Sequence, residues 1–249
     1  MKRIELYLLP AELDRTSLDE RQIVVVDVLR TCTSIAMALW NGAAKVIPVE
    51  TVEEATRLAA TLDAKSKLLC GEREGRKVNG FDLGNSPREY TRARVDGATL
   101  VFASTNASPL MAGILGGREQ YLVAYVNLNS ISKTIGARRS DVAIVCAGRN
   151  GRFSLEDAAC AGALIHHLTR TKENLELNDA AVLARDYHRE HGLPPEAVLR
   201  RCGHGRYLID QGFEEDIPLC AAIDSVPVVP LLKEGRIAAL ANSAAPASR

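Results

Sequence analysis

Residues 23–33, Ile23-Val-Val-Val26-Asp27-Val-Leu-Arg30-Thr31-Cys-Thr33, hold the fold in miniature. Four β-branched residues in a row, with no polar alternate, predict a strand buried on both faces, because a strand with one wet face alternates. An aspartate closes the run and a polar segment follows. The same form recurs at residues 45–49, 68–70, 100–103, 122–126 and 142–146. Helical patterns lie between these runs. Thr51-Val-Glu-Glu54 reads as a capping box for a helix through about residue 62, and Ser86-Pro87-Arg88-Glu89 as another with proline in its first turn. Ser108-Pro109 repeats the device, with Gly116-Gly117 as its stop; Ser154-Leu-Glu-Asp157 opens a helix over 155–169, and Asn178 or Asp179 opens one ending near Gly192. Strands alternating with helices predict a three-layer α/β/α fold on a mainly parallel or mixed sheet. Residues 1–235 form one domain on this reading. Residues 236–249, which close on ANSAAPASR from Ala241, form a flexible tail with little to bury.

Composition narrows the function. In 249 residues, 31 basic side chains balance 31 acidic ones, so no charged face draws the chain to nucleic acid or an anionic membrane. A basic site would be a few arginines in a pocket. The six cysteines form no C-x-x-C pair, which argues against structural zinc. The amino end, MKRIELYLLPAELDR, meets charge too soon for a secretory signal, and no apolar stretch approaches the ~18 residues that span a bilayer. The expected setting is the cytoplasm.

The chemistry should lie where the strands end, since open α/β sheets bind ligands outside their strands' carboxyl ends. There the sequence collects Asp27 and Arg30, Glu72 and Arg73, Thr105 and Asn106, Asn129, and Arg149-Asn150-Gly151-Arg152. Arginine pairs fork onto anionic oxygens, and helix N-termini favour anions. Asp27 admits three readings: a magnesium ligand, a nucleophile toward phosphorus, or a helix N-cap. Cys146 and Arg152 match C-x5-R, the cradle of metal-free cysteine phosphatases, although Cys146 ends an apolar run as a structural thiol does. Asp82 and Asn85 lie in Phe81-Asp-Leu-Gly-Asn-Ser-Pro87, a turn that can also face a pocket. His166 and His167 read as structural, and His204 stays open.

Several long blocks carry a resemblance: VVVDVLRTCTS, GAAKVIPVETVEEA, GEREGRKVNGFDLGNSP, VCAGRNGRFSLEDAACAG and GFEEDIPLCAAID. Through them the chain resembles the 2-phosphosulfolactate phosphatase family of the coenzyme M pathway. The resemblance implies an α/β/α fold and magnesium-dependent hydrolysis of 2-phospho-3-sulfolactate to sulfolactate and phosphate. It implies catalytic roles for Asp27, Arg30, Arg152 and Glu156. It assigns substrate binding to Arg73, Asn85, Ser86, Thr105, Asn106, Asn129, Arg149 and Asn150, and metal binding to Asp27, Glu72 and Asp82. Asp157 also falls on the family's pattern. The chain departs from that pattern at Thr31-Cys32 and at Ala107, where the family carries a glycine; the added Cβ stands beside the expected ligand. Two other readings stay open, the cysteine phosphatase and a non-catalytic binder of small anions, as does a homodimer.

Overall fold

The computed structural model describes residues 3–13, 18, 20–64, 66–114, 119–171, 174–191 and 194–241. Its strands are β1 (Arg3–Tyr7), β2 (Gln22–Val26), β3 (Lys45–Val49), β4 (Lys67–Arg73), β5 (Arg76–Lys77), β6 (Thr99–Ala103), β7 (Gln120–Val123), β8 (Val142–Cys146), β9 (Glu176–Leu177), β10 (Pro230–Lys233) and β11 (Arg236–Ala239). Its helices are α1 (Thr31–Trp40), α2 (Val52–Ala60), α3 (Arg92–Val95), α4 (Ala107–Gly113), α5 (Leu128–Gly136), α6 (Leu155–Thr171), α7 (Asp179–His191), α8 (Pro195–Arg201), α9 (Gly203–Asp210) and α10 (Asp216–Ala221). Among the described residues no helix is long and apolar enough to cross a membrane.

The unbroken apolar runs do what a doubly covered strand requires. In β2, Ile23 and Val25 join one apolar cluster, and Val24 and Val26 join another on the opposite face. The first cluster contains Ile35, Ala36 and Leu39 of α1; the second contains Ile131 and Ile135 of α5 and Leu164, Ile165 and Leu168 of α6. A third, smaller cluster packs Ala55 and Ala59 of α2 against Val49, Val101 and Ala103.

The strand order is β5-β4-β6-β3-β11-β10-β7-β2-β8-β1-β9. It contains two parallel sets, β4-β6-β3 and β7-β2-β8-β1-β9. The antiparallel hairpin β10–β11 joins them, pairing antiparallel with β7 on one side and β3 on the other. The two sets therefore run in opposite senses along the sheet. Twist offsets this reversal: at roughly 20–25° per neighbour, the seven steps from β4 to β8 accumulate about 140–175°. The sheet curls around α1 as it twists. One apolar cluster accordingly draws Ile23 and Val145 from one set and Val46, Leu100 and Phe102 from the other. The carboxyl ends of β2, β4, β6 and β8 meet at one place.

Four local expectations change. The strand expected over 122–126 stops at Val123, because the Asn127 side chain accepts the Ala124 N–H (2.9 Å) and donates to the Leu122 carbonyl (3.0 Å), which turns the chain. The tail expected from 236 begins too early: Arg236–Ala239 is β11, held by the β10 ladder. Residues 242–249, Gly116-Gly117 and Gly192 lie outside the described residues. Ser86 does not cap its short 3-10 turn but donates to Asp216 (2.6 Å), and Ser108-Pro109 sits inside α4, whose N-cap is Asn106. Thr51 caps α2 as expected, its Oγ1 accepting the Glu54 N–H (3.0 Å), while the Glu54 side chain accepts the N–H of Glu50, one residue before the cap (3.0 Å).

Gly71 allows β4 to approach β6. Its φ is +139°, and a Cβ there would stand 2.0 Å from the Ala103 carbonyl oxygen. Gly80 also has positive φ (+83°) but open space around it. We expect Gly71→Ala to lower stability by clearly more than Gly80→Ala, whose strain alone costs about 1 kcal/mol. Urea unfolding of both variants tests this; equal losses would mean that the β4–β6 approach is not tight.

Candidate active site

At the end of β2 the Asp27 carboxylate accepts the Thr31 N–H (3.1 Å), and its carbonyl accepts the Cys32 N–H (3.0 Å). These bonds start α1 and aim its first turn at a cavity of about 240 Å³. Asp27 is only 4% exposed. Burial pushes its carboxyl from 3.8 up to about 6; His204 and the Thr31 bonds pull it down, while Glu72 adds to the rise.

The β4 and β6 ends are pinned to each other by Glu72. One of its oxygens accepts the Gly75 N–H and the other the Thr105 N–H, both at 2.8 Å. Asn85 donates to Thr31 Oγ1 (3.3 Å). Among the described residues, Asn85 Oδ1 and Thr105 Oγ1 are buried without a hydrogen-bond partner. Both residues line the cavity, so these two unpartnered oxygens belong to its wall.

The β8 end is built around Asp157, at the start of α6. Its oxygens accept Val28 N–H (2.9 Å) and Gly148 N–H (3.2 Å), tying the loops after β2 and β8 together. Burial, then Glu156 and Asp27, push the Asp157 carboxyl well above its ordinary range. Gly148 (φ +66°) must be glycine, since a Cβ would stand 2.6 Å from the Arg152 carbonyl oxygen. Arg149 and Arg152 close a tight turn through paired N–H···O bonds of 2.9 Å, and the Asn150 N–H donates to Asn106 Oδ1 (2.9 Å). Arg149 and Asn150 thus face the cavity, with the Arg149 guanidinium 4.2 Å from the Tyr207 ring centre. Arg152 faces an adjoining recess of about 640 Å³, which shares Arg149, Asn150 and His204 with the first chamber.

Arg30 lines the cavity but is 2% exposed. It donates to Asp216 (2.7 Å) and the Gly75 carbonyl (2.6 Å) and lies 4.3 Å from the Phe213 ring centre. Its charge is balanced by Asp216, so it also braces the wall. Glu156 and His204 face each other with Oε1···Nδ1 at 3.2 Å. Burial raises the Glu156 carboxyl, but the bond and charge of His204 outweigh it and leave Glu156 below its ordinary value.

Of the expected site residues, Asp27, Arg30, Glu72, Asn85, Thr105, Asn106, Arg149 and Asn150 come together around one cavity, and Arg152 and Glu156 line the recess beside it. Four do not join them. Asp82 is exposed and accepts the Leu69 N–H (2.8 Å). Arg73 spends its N–H groups on the carbonyls of Glu72, Ala103 and Glu50. Ser86 is held by Asp216 and borders a different recess. Asn129 opens α5 with its N–H on Asp224 (2.7 Å) and lines neither chamber. Cys146 is 0% exposed and lines neither chamber, and burial pushes its thiol well up, so a thiolate attack from Cys146 is ruled out. Ala107 raises no obstacle: it is the first residue of α4, buried, and away from the cavity wall. Among the described residues no cluster of three histidine, cysteine or acidic side chains is arranged to hold a metal. Of the three acidic residues that line the cavity, Asp27 and Glu72 are buried and Glu74 is exposed. Sequence reasoning left His204 open, on the Gly-His-Gly opening of α9 next to an N-cap cysteine, and missed Tyr207 and Asp216.

Comparison with known proteins gives one answer. The family model for 2-phosphosulpholactate phosphatase matches residues 7–235. A protein of Symbiobacterium thermophilum named probable 2-phosphosulfolactate phosphatase is 35% identical over 88% of this chain and 94% of its own. Like-named proteins of Thermotoga petrophila (39% identical, 86% of this chain, 90% of the relative) and Carboxydothermus hydrogenoformans (37%, 94% and 96%) match as fully. With a cavity of acids, arginines and unpartnered oxygens at the strand ends, and matches along nearly its whole length, the chain belongs to the 2-phosphosulfolactate phosphatase family.

Proposed function

We propose that this protein is a phosphoric monoester hydrolase that cleaves 2-phosphosulfolactate to sulfolactate and phosphate, in the cytoplasm and with magnesium. A part in coenzyme M formation follows from that substrate. The observation that carries the reading is the chamber where Asp27 meets the first turn of α1, two arginines, and the unpartnered Thr105 and Asn85 oxygens. A phosphoryl group supplies acceptors for Arg149 and for Thr105 Oγ1–H. The neighbouring recess, with Arg152 on its wall, has room for the acid's other anionic groups.

Magnesium suits the oxygen donors present. Hard cations take carboxylate and amide oxygens, and magnesium is commonly held by one or two carboxylates together with water and substrate phosphate. Asp27, Glu72 and the Asn85 side-chain oxygen would hold it; Asp82 lines neither chamber. When bound it would supply positive charge to the phosphoryl oxygens. The residues do the rest. Arg149 orients the phosphate, Arg30 and Glu72 keep the wall in register, and ionised Asp27 takes the proton of the attacking water.

Phosphate release from a panel of phosphorylated hydroxyacids tests the function. We expect turnover of 2-phosphosulfolactate, loss of it in EDTA, and recovery with magnesium. Anion-induced thermal stabilisation without phosphate release from any member would leave only a binding protein.

Asp27→Asn separates function from stability. Activity should fall by at least about 10²-fold. The metal-free variant should nonetheless melt no lower than the parent. The folded carboxyl titrates near 6 against 3.8 as its ordinary value, so ionisation is disfavoured in the fold. The parent therefore loses stability as pH rises from about 4 to 6, a loss the amide does not share. Thermal melts across that range check the sign; a variant less stable above pH 6 would refute it.

A further inference from the structure

The two chambers share three residues, Arg149, Asn150 and His204. With the phosphoryl group in the first chamber and the acid's remaining groups in the second, the bridging oxygen lies at this boundary. That oxygen needs a proton as it leaves, because an alkoxide is a poor leaving group near neutral pH. Arginine does not release its proton in proteins, and the asparagine amide is no acid. Tyr207 reaches the first chamber, but its hydroxyl is spent on the Glu74 carbonyl (2.8 Å). His204 is the boundary residue able to transfer a proton.

We propose that His204 donates the proton to the leaving oxygen, and that Glu156 is the positioning residue that aims it. This rests on the phosphatase reading above. Glu156 is buried and meets Nδ1 at 3.2 Å, while the His204 side chain retains 13% exposure. An ionised carboxylate only accepts, so Nδ1 must carry a hydrogen toward Glu156, which leaves Nε2 for the substrate. The position of Glu156 below its ordinary carboxylate range is consistent with this ionised partner.

In the step, the water oxygen forms a bond to phosphorus as the bridging P–O bond breaks. The bridging electron pair stays on the hydroxyacid oxygen and takes the Nε2 proton, giving the alcohol. The water's proton passes to Asp27. Imidazole keeps its Nδ1 hydrogen on Glu156 and is reprotonated from solvent.

The test compares 2-phosphosulfolactate with its analogue bearing sulfur at the bridging position, whose thiolate leaves without protonation. His204→Gln should lower kcat on the oxygen ester by about 10²–10³-fold, with KM little changed, and should act far less on the sulfur ester. Glu156→Gln should give a smaller loss with the same oxygen-over-sulfur bias. Equal losses on both esters, or a raised KM at unchanged kcat on the oxygen ester, would overturn the proposal; circular dichroism and melting of the variants exclude misfolding as the cause. Absence of phosphate release by the parent protein would instead defeat the phosphatase reading itself.

Discussion

Everything at the candidate site depends on sheet twist. The β10–β11 hairpin reverses chain direction between the two parallel sets, which in a flat sheet would send their carboxyl ends to opposite edges. The intrinsic twist of L-residue strands turns one set by about half a revolution relative to the other. The ends of β2, β4, β6 and β8 then enclose one chamber, with α1 packed in the curl between them. The chamber thus reflects backbone chirality accumulated over several strands.

Convergence brings loops together but does not hold them. Three buried side chains perform that task, each by satisfying backbone groups that would otherwise be stranded. Glu72 ties the turn after β4 to the turn after β6, Asp157 ties the turn after β2 to the turn after β8, and Arg30 ties the start of α1 to Gly75 and Asp216. Burying so many carboxylates is unfavourable, and the cost shows in the raised positions of Asp27 and Asp157. A fold selected only for stability would place apolar side chains there. Retained negative charge beside arginines suits a site that handles protons along with an anionic ligand.

The strand runs were legible because burial on both faces leaves an unbroken apolar signature. The failures were local. Asn127 competes for backbone hydrogen bonds and ends β7 early, and Arg236–Ala239, with only Ile237 fully buried, lacks the apolar density that marks the other strands. At the site, acidic and basic strand ends were visible as residue types. Whether each faced the chamber was not. Asp82 and Arg73 have the chemistry of a site but are consumed by backbone groups, whereas His204, far along the chain, completes it.

By itself the sequence determined the α/β class, the positions of β2, β3, β4, β6, β7 and β8, the family, and a set of anion-seeking residues at strand ends, since these follow from local periodicity and from motifs contiguous in the chain. Only the tertiary structure decided which of those residues share a cavity, that Cys146 is sealed in the core, and that His204 pairs with Glu156. The physical reason is that side-chain partnership depends on contacts between residues dozens of positions apart, brought together by sheet twist and helix packing. No local pattern encodes that distance.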